Sequence, residues 1–372
     1  MNFRWTSILY LLSLPLPYGL VQGLMSPLRS LSYQTLPTCG LRSFPGLRLL
    51  PTSKINLKTN IFITYMIPEQ NLPEPPNKIQ EWLRLSRLPK NIVSSSLLTL
   101  VGAYVAHPDT WMIWIISPPF WAAYAMIQCI MTSSMIINDI YDLELDRHQH
   151  PNRPLVLGTI TKNEALISVW TLLSMSVVLG LQYLPPLMDP IWMTDIGLIV
   201  LYTPFFKKIT LIKNMACAYV VASTIPFIAI TTINPIDLMY FSSEHWTSMW
   251  ITTQITFMAS MYIEMMLDIL DEDGDRRAQI QTIPVRWGAG VTMELLRVFL
   301  FGSYICIFTQ TAYIGNYQYF VYVNITYLLF YYGWKRVAKD QSVETVLQSV
   351  KLTTLALLLF LGMNMIGDFT AN

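Results

Sequence analysis

A chain of 372 residues that is 53% hydrophobic and only 13% charged falls outside the ordinary soluble class, where charged residues approach a quarter. Its net charge is +1, and no basic stripe interleaved with aromatics is present, which excludes nucleic acid as a partner. The four cysteines (Cys39, Cys129, Cys217 and Cys306) are too scattered for a disulfide framework or a CxxC metal site.

No acidic residue precedes Glu69. Residues 1–60 join an apolar run, Ile8 to Val21, to a segment carrying Arg29, Arg42, Arg48, Lys54 and Lys58 among serines. This reads as a signal-like and transit-like targeting segment, against the alternative of a loosely basic tail. It predicts an organellar membrane, plastid first and mitochondrial inner membrane as the alternative. Residues 61–79 hold the proline-rich stretch Pro68 to Pro76, a stiff linker. The mature domain is expected to begin near Ile79.

Nine apolar spans follow, near 92–106, 112–137, 165–185, 190–204, 214–233, 246–267, 290–313, 316–333 and 350–367. They are continuously apolar where barrel strands would alternate, so the predicted fold class is all-α. It is a polytopic nine-helix membrane bundle with an acidic and basic cap on one membrane face. Two acidic stretches interrupt the spans. Asn138 to Asp146 follows the second, and Asp268 to Asp275 follows the sixth; with Glu264 they hold ten of the 23 acidic residues. A count of nine puts both stretches on one side. From residue 147 onward every Lys and Arg lies in or beside the four connections on that side. The opposite loops, near 107–111, 186–189, 234–245 and 314–315, carry none. By the positive-inside rule the acidic face is cytosolic, stromal or matrix.

On a helix, at roughly 100° per residue, Asn138, Asp142 and Asp146 share one face, and Asp268, Asp271 and Asp275 fall within about 60° of one another. Crowded carboxylates repel unless a cation gathers them, so the two stretches read as halves of one metal site. Its expected ligands are Asp142, Asp146, Asp268, Asp271 and Asp275. All-oxygen donors suit Mg²⁺, which takes one or two carboxylates together with substrate phosphates. Lys207, Lys208 and Arg153 can carry the remaining phosphate charge. An apolar bundle below accepts a hydrocarbon tail, so the implied donor is a polyprenyl diphosphate acting among membrane lipids.

At these residues the sequence resembles the UbiA-type intramembrane prenyltransferase superfamily. Asn138, Asp142 and Asp146 match its first motif, followed by His150-Pro151-Asn152-Arg153-Pro154-Leu155 and Gly158. Asp268, Asp271, Gly274 and Asp275 match the second, with Thr282-Ile283-Pro284-Val285 behind it. Tyr202-Thr203-Pro204 with Lys207-Lys208 resembles the loop after the fourth helix, and Trp82 to Arg87, running to Asn91, resembles the start of helix one. The likeness covers residues 80–368. It implies Mg²⁺-dependent transfer of a prenyl group to a lipophilic acceptor, with the five aspartates as catalytic, metal-holding residues. Asn138, Asp139, Arg153, Tyr202, Lys207, Lys208 and Arg87 are implied to bind substrate.

The expected acceptor is an aromatic ring of quinone, tocopherol or chlorophyll type, since Val285-Arg286-Trp287-Gly288 resembles the homogentisate branch. The alternative is a geranylgeranylglyceryl-phosphate-type ether lipid, which Asp139 with His-Pro-Asn-Arg-Pro resembles. A membrane transporter is the alternative of another class, because intramembrane carboxylates often mark ion paths. Against it, the acids gather at one face.

Overall fold

The computed structural model describes residues 77–108, 110–233, 243–315 and 317–367. The targeting segment 1–60 and the linker, apart from residues 77–79, lie outside them. The first described helix is α1 (Lys78–Ser86), capped by Asn77, whose Oδ1 accepts from the Ile79 N–H at 3.0 Å.

Next come α2 (Leu88–Ala106), the single turn α3 (Trp111–Trp114), α4 (Pro118–Tyr141), and the short α5 (Leu143–Gln149) and α6 (Pro154–Leu157). Then follow α7 (Lys162–Tyr183), α8 (Asp189–Tyr202), α9 (Ile212–Thr232), α10 (Ser243–Leu270) and the short α11 (Glu272–Arg277). The chain closes with α12 (Ile283–Ile314), α13 (Tyr317–Lys339) and α14 (Val343–Gly367). No strand occurs among the described residues. Local chemistry sets many of the starts. Prolines fill early positions of α2, α4, α6, α8 and α12, where a missing N–H costs nothing. Thr161 and Glu164 form a reciprocal capping box before α7.

Each of the nine predicted spans falls largely within a helix. Five described segments are long and apolar enough to cross a membrane: Pro118–Tyr141, Lys162–Tyr183, Ile212–Thr232, Ile283–Tyr313 and Val343–Met365. With the family shown below, they make this an integral, multi-pass membrane protein. Several boundaries differ from expectation. Ser117-Pro118-Pro119 starts α4 six residues late, and α4 and α10 run on to Tyr141 and Leu270, so Asn138, Asp139 and Asp268 sit inside helices.

Helices α9 and α10 form the centre. α9 packs on α10, α2 and α4, and α10 packs also on α12 and α14. α4 pairs with α7, α12 with α13, and α13 with α14. Small residues permit the closest approaches. A Cβ on Gly102 would stand 2.8 Å from the Ile225 carbonyl oxygen, so α2 and α9 touch nearly backbone to backbone. A Cβ on Gly333 would stand 2.7 Å from Ser349 Oγ, beside the 2.6 Å hydrogen bond between Ser349 and Tyr262.

Candidate active site

The two acidic stretches share one backbone form. α4 ends at Tyr141 and α5 begins at Leu143, with Asp142 between them at φ −85°, ψ 4°. α10 ends at Leu270 and α11 begins at Glu272, with Asp271 between them at φ −93°, ψ 6°. A ψ near zero bends the chain while i to i−4 bonding continues. Asp142 and Asp146 donate backbone N–H bonds to the Asn138 and Asp142 carbonyls at 2.9 and 2.8 Å. Asp271 and Asp275 donate likewise to Leu267 and Asp271 at 3.0 and 2.8 Å. Both stretches read Asp-x-x-Asp-x-x-x-Asp, so Asp139, Asp142 and Asp146 correspond to Asp268, Asp271 and Asp275.

In the first half Lys207 donates to Asn138 Oδ1 at 3.2 Å and to Asp142 Oδ2 at 2.5 Å, which joins the two as the helix-face argument predicts. Asp146 departs from that face. It is buried and accepts from Arg153 Nη1 at 2.5 Å. The same Nη1 reaches Asp139 Oδ1 at 2.9 Å, and Arg87 Nη2 meets that oxygen at 2.9 Å. Arg87 and Arg153, expected on the substrate's phosphates, are thus ion-paired within the protein. The bend at Asp142 and the burial of Asp139 turn them inward. Burial also raises Asp146 above its ordinary carboxylate range, against the pull of Arg153.

In the second half the buried Asp268 accepts from Lys213 Nζ at 2.5 Å and from Asn214 Nδ2 at 2.8 Å. Lys213 stands 3.8 Å from Asp275 Oδ2, and that oxygen is buried without a hydrogen bond. The Thr282 hydroxyl, close enough to favour the ionised form of Asp275, does not close a bond to it either. Burial raises Asp275, and repulsion from Asp268 and Asp271 adds to it while Lys213 opposes. Asp271 and Lys208 are exposed, and their side chains have no polar partner among the described residues. The Tyr202 hydroxyl, expected on substrate, accepts from Cys217 Sγ at 3.1 Å.

Sequence reasoning passed over Lys213 and Asn214. The signal was there: a lysine and an asparagine in the first turn of a helix with no other charged residue. The connection between α8 and α9 links the halves, because Lys207 meets the first and Lys213 the second. Between them Thr210 Oγ1 donates to the Gln281 carbonyl at 2.6 Å, beyond the second motif. The three described non-glycine residues with positive φ are Arg87, Leu211 and Gln279, at 51°, 69° and 56°. All three lie in connections beside these acids, where strain of this kind tends to concentrate.

The five aspartates expected to enclose a metal do not converge. Among the described residues no three His, Cys, Asp or Glu side chains gather to hold one. Protein cations stand between the carboxylates. The two halves nonetheless differ in charge. In the first, three carboxylates face three cations, Arg87, Arg153 and Lys207. In the second, Asp268 and Asp275 share Lys213, and Asp271 has no cation among the described residues. An oxygen-only set short of two positive charges, with a buried carboxylate oxygen unpartnered, fits a hard divalent cation.

Solved structures share the fold. A digeranylgeranylglyceryl phosphate synthase superposes with TM-score 0.63 at 21% identity, covering 78% of this chain and 98% of that one. The apo structure of a UbiA homolog from Aeropyrum pernix gives 0.56 at 16%, covering 75% and 98%. Relatives in sequence are named digeranylgeranylglyceryl phosphate synthase. The protein from Natronomonas pharaonis is 27% identical over 53% of this chain, and the match spans 65% of its length, just under two thirds. Those from Sulfolobus acidocaldarius and Methanococcus vannielii are 25% and 23% identical, over 68% and 74% of this chain and 82% and 94% of theirs. These archaeal relatives lend no support to a plastid or mitochondrial address. The UbiA prenyltransferase family model matches residues 95–361, from α2 to α14 and across both aspartate motifs, and the chain belongs to that family.

Proposed function

We propose that this chain catalyses Mg²⁺-dependent transfer of a polyprenyl group from a prenyl diphosphate to the free glycerol hydroxyl of a geranylgeranylglyceryl-phosphate-type ether lipid. The observation that carries the metal and the diphosphate is the charge deficit of the second half. Asp268, Asp271 and Asp275 would hold Mg²⁺, with Asp142 facing the same diphosphate from the first half. When bound, the ion neutralises the leaving diphosphate and favours its departure. Lys207, already beside Asn138 and Asp142, and the exposed Lys208 would carry remaining phosphate charge. Asp139 and Asp146 keep Arg87 and Arg153 in place. The bundle would exclude water from the allylic cation, so the acceptor hydroxyl and not water captures it, its proton passing to the departed diphosphate. The names of the relatives favour this ether-lipid acceptor over the aromatic ring expected from sequence.

Incubating the purified protein with Mg²⁺, prenyl diphosphates of several lengths and either acceptor type tests the reading. Product is expected with the glyceryl phosphate. Transfer to an aromatic ring alone overturns the acceptor, and no transfer with or without Mg²⁺ overturns the reaction.

The nine-span topology belongs to the same proposal, with both acidic halves opening on the side rich in Lys and Arg. In a cysteine-free background, cysteines at Asn152 and Asp340 are expected to react with an impermeant thiol reagent from one side. A cysteine at Asp189 should react only from the other. Labelling of Asn152 and Asp340 from opposite sides rejects the topology.

A further inference from the structure

A cavity of about 320 Å³ lies beside the first half, lined by Arg84, Arg87, Arg153, His150 and Asp139 among others. Its charges are layered. The arginine side chains are 50%, 37% and 24% exposed, whereas their partners Glu81, Asp139 and Asp146 are 3–5% exposed. Buried carboxylates therefore stand behind, and a ligand in the cavity meets guanidinium N–H groups. Three elements meet here. Arg84 Nη2 donates to the Asn152 carbonyl at 2.7 Å, which ties α1 to the connection between α5 and α6. Arg87 takes its left-handed conformation at the break between α1 and α2 and reaches Asp139 on α4.

Arg153 reaches both its aspartates through Nη1 alone, so Nη2 and Nε have no protein acceptor among the described residues. A guanidinium offers five donors in a fixed fork that matches phosphate oxygens two at a time. His150, exposed at the rim, adds a ring N–H donor. No carboxylate in this cavity lacks a cation, so a phosphate here needs no metal. That sets it apart from the second half, where a diphosphate does.

We infer that this cavity holds a phosphomonoester, and that it is the phosphate of the acceptor. The inference rests on the acceptor class proposed above. It divides the anions of the reaction: the donor's diphosphate goes to the aspartate halves with the metal, and the acceptor's phosphate to the arginine cavity without one. Held at its phosphate, the acceptor has its hydroxyl fixed at one distance from the first half, and an acceptor without phosphate loses that anchor.

The test uses the full chain in phosphatidylcholine nanodiscs, with geranylgeranylglyceryl phosphate and its dephosphorylated form as acceptors. Arg84→Gln is expected to raise KM for the phosphorylated acceptor at least tenfold. It should leave KM for the donor, and turnover of the dephosphorylated acceptor, within about twofold. Arg84→Lys should recover part of the loss, and His150→Ala should give a smaller rise of the same kind. A purely structural role for Arg84 would lower turnover of both acceptors together, which overturns the inference. A raised KM for the donor assigns the cavity to the diphosphate and also overturns it. An effect confined to inhibition by added phosphatidic acid assigns the cavity to bulk lipid and overturns it as well. If the wild-type protein transfers to neither acceptor, the proposed function fails. The cavity is then judged by binding of glycerol 1-phosphate without Mg²⁺, which Arg84→Gln should weaken at least tenfold and which must be present in the wild type.

Discussion

Asp271→Asn is expected to reduce prenyl transfer by about 10²–10³-fold, the scale on which loss of one pre-placed electrostatic partner of the reacting charge is felt. The folded protein should hardly notice. The Asp271 side chain is exposed and makes no polar contact among the described residues, so asparagine leaves no cation stranded and no cavity. Asp142→Asn should be nearly as harmful, with a small added cost because Lys207 loses its charged partner. Turnover with saturating Mg²⁺, read beside thermal denaturation in detergent, checks both. Near-normal turnover by Asp271→Asn would remove the second half from the mechanism.

Asp268→Ala is expected to fail for a different reason. Lys213, largely buried, would lose the carboxylate 2.5 Å away, and Asn214 would lose its acceptor. Breaking one side of a buried pair costs up to about 3–5 kcal/mol, and Asp275, 3.8 Å from Lys213, offsets part of that. The variant should therefore unfold at distinctly lower temperature and also be inactive. Adding Lys213→Met to Asp268→Ala should return much of the stability and none of the activity, since an apolar replacement of a whole buried pair is often neutral. Equal stability of the single and the double variant would show that Lys213 is not held by Asp268.

The contrast between these two aspartates shows what the sequence carries. The existence of the helices was legible, because long uncharged runs have no other economical form in lipid. Their span status was less so. α8, with 14 residues, reaches only about 21 Å, and α10 carries Glu264 and Asp268 inside its length. The acids themselves were legible from spacing and crowding. Their partners were not. Lys213 to Asp268 spans 55 residues, Arg87 to Asp139 spans 52, and Lys207 to Asp142 spans 65. Such pairs are created by the packing of α9 on α10 and of α1 on α4, which no local pattern encodes. Helical periodicity placed Asp146 beside Asp142; the bend at Asp142 and the pull of Arg153 moved it away.

The connection from α8 to α9 is a ruler. Between residues 207 and 213 the backbone can reach about 20 Å at full extension, and the left-handed turn at Leu211 shortens it. A surface loop ordinarily absorbs an extra residue or two for a few tenths of a kcal/mol. Here each added residue would lengthen the strap between one aspartate trio and the other, and loosen the gap that the proposed reaction spans with a single diphosphate. The number of residues in this stretch is thereby under the same constraint as the identity of the lysines at its ends. Relatives working on the same head group should vary in what fills positions 209 to 212 far more than in how many positions there are.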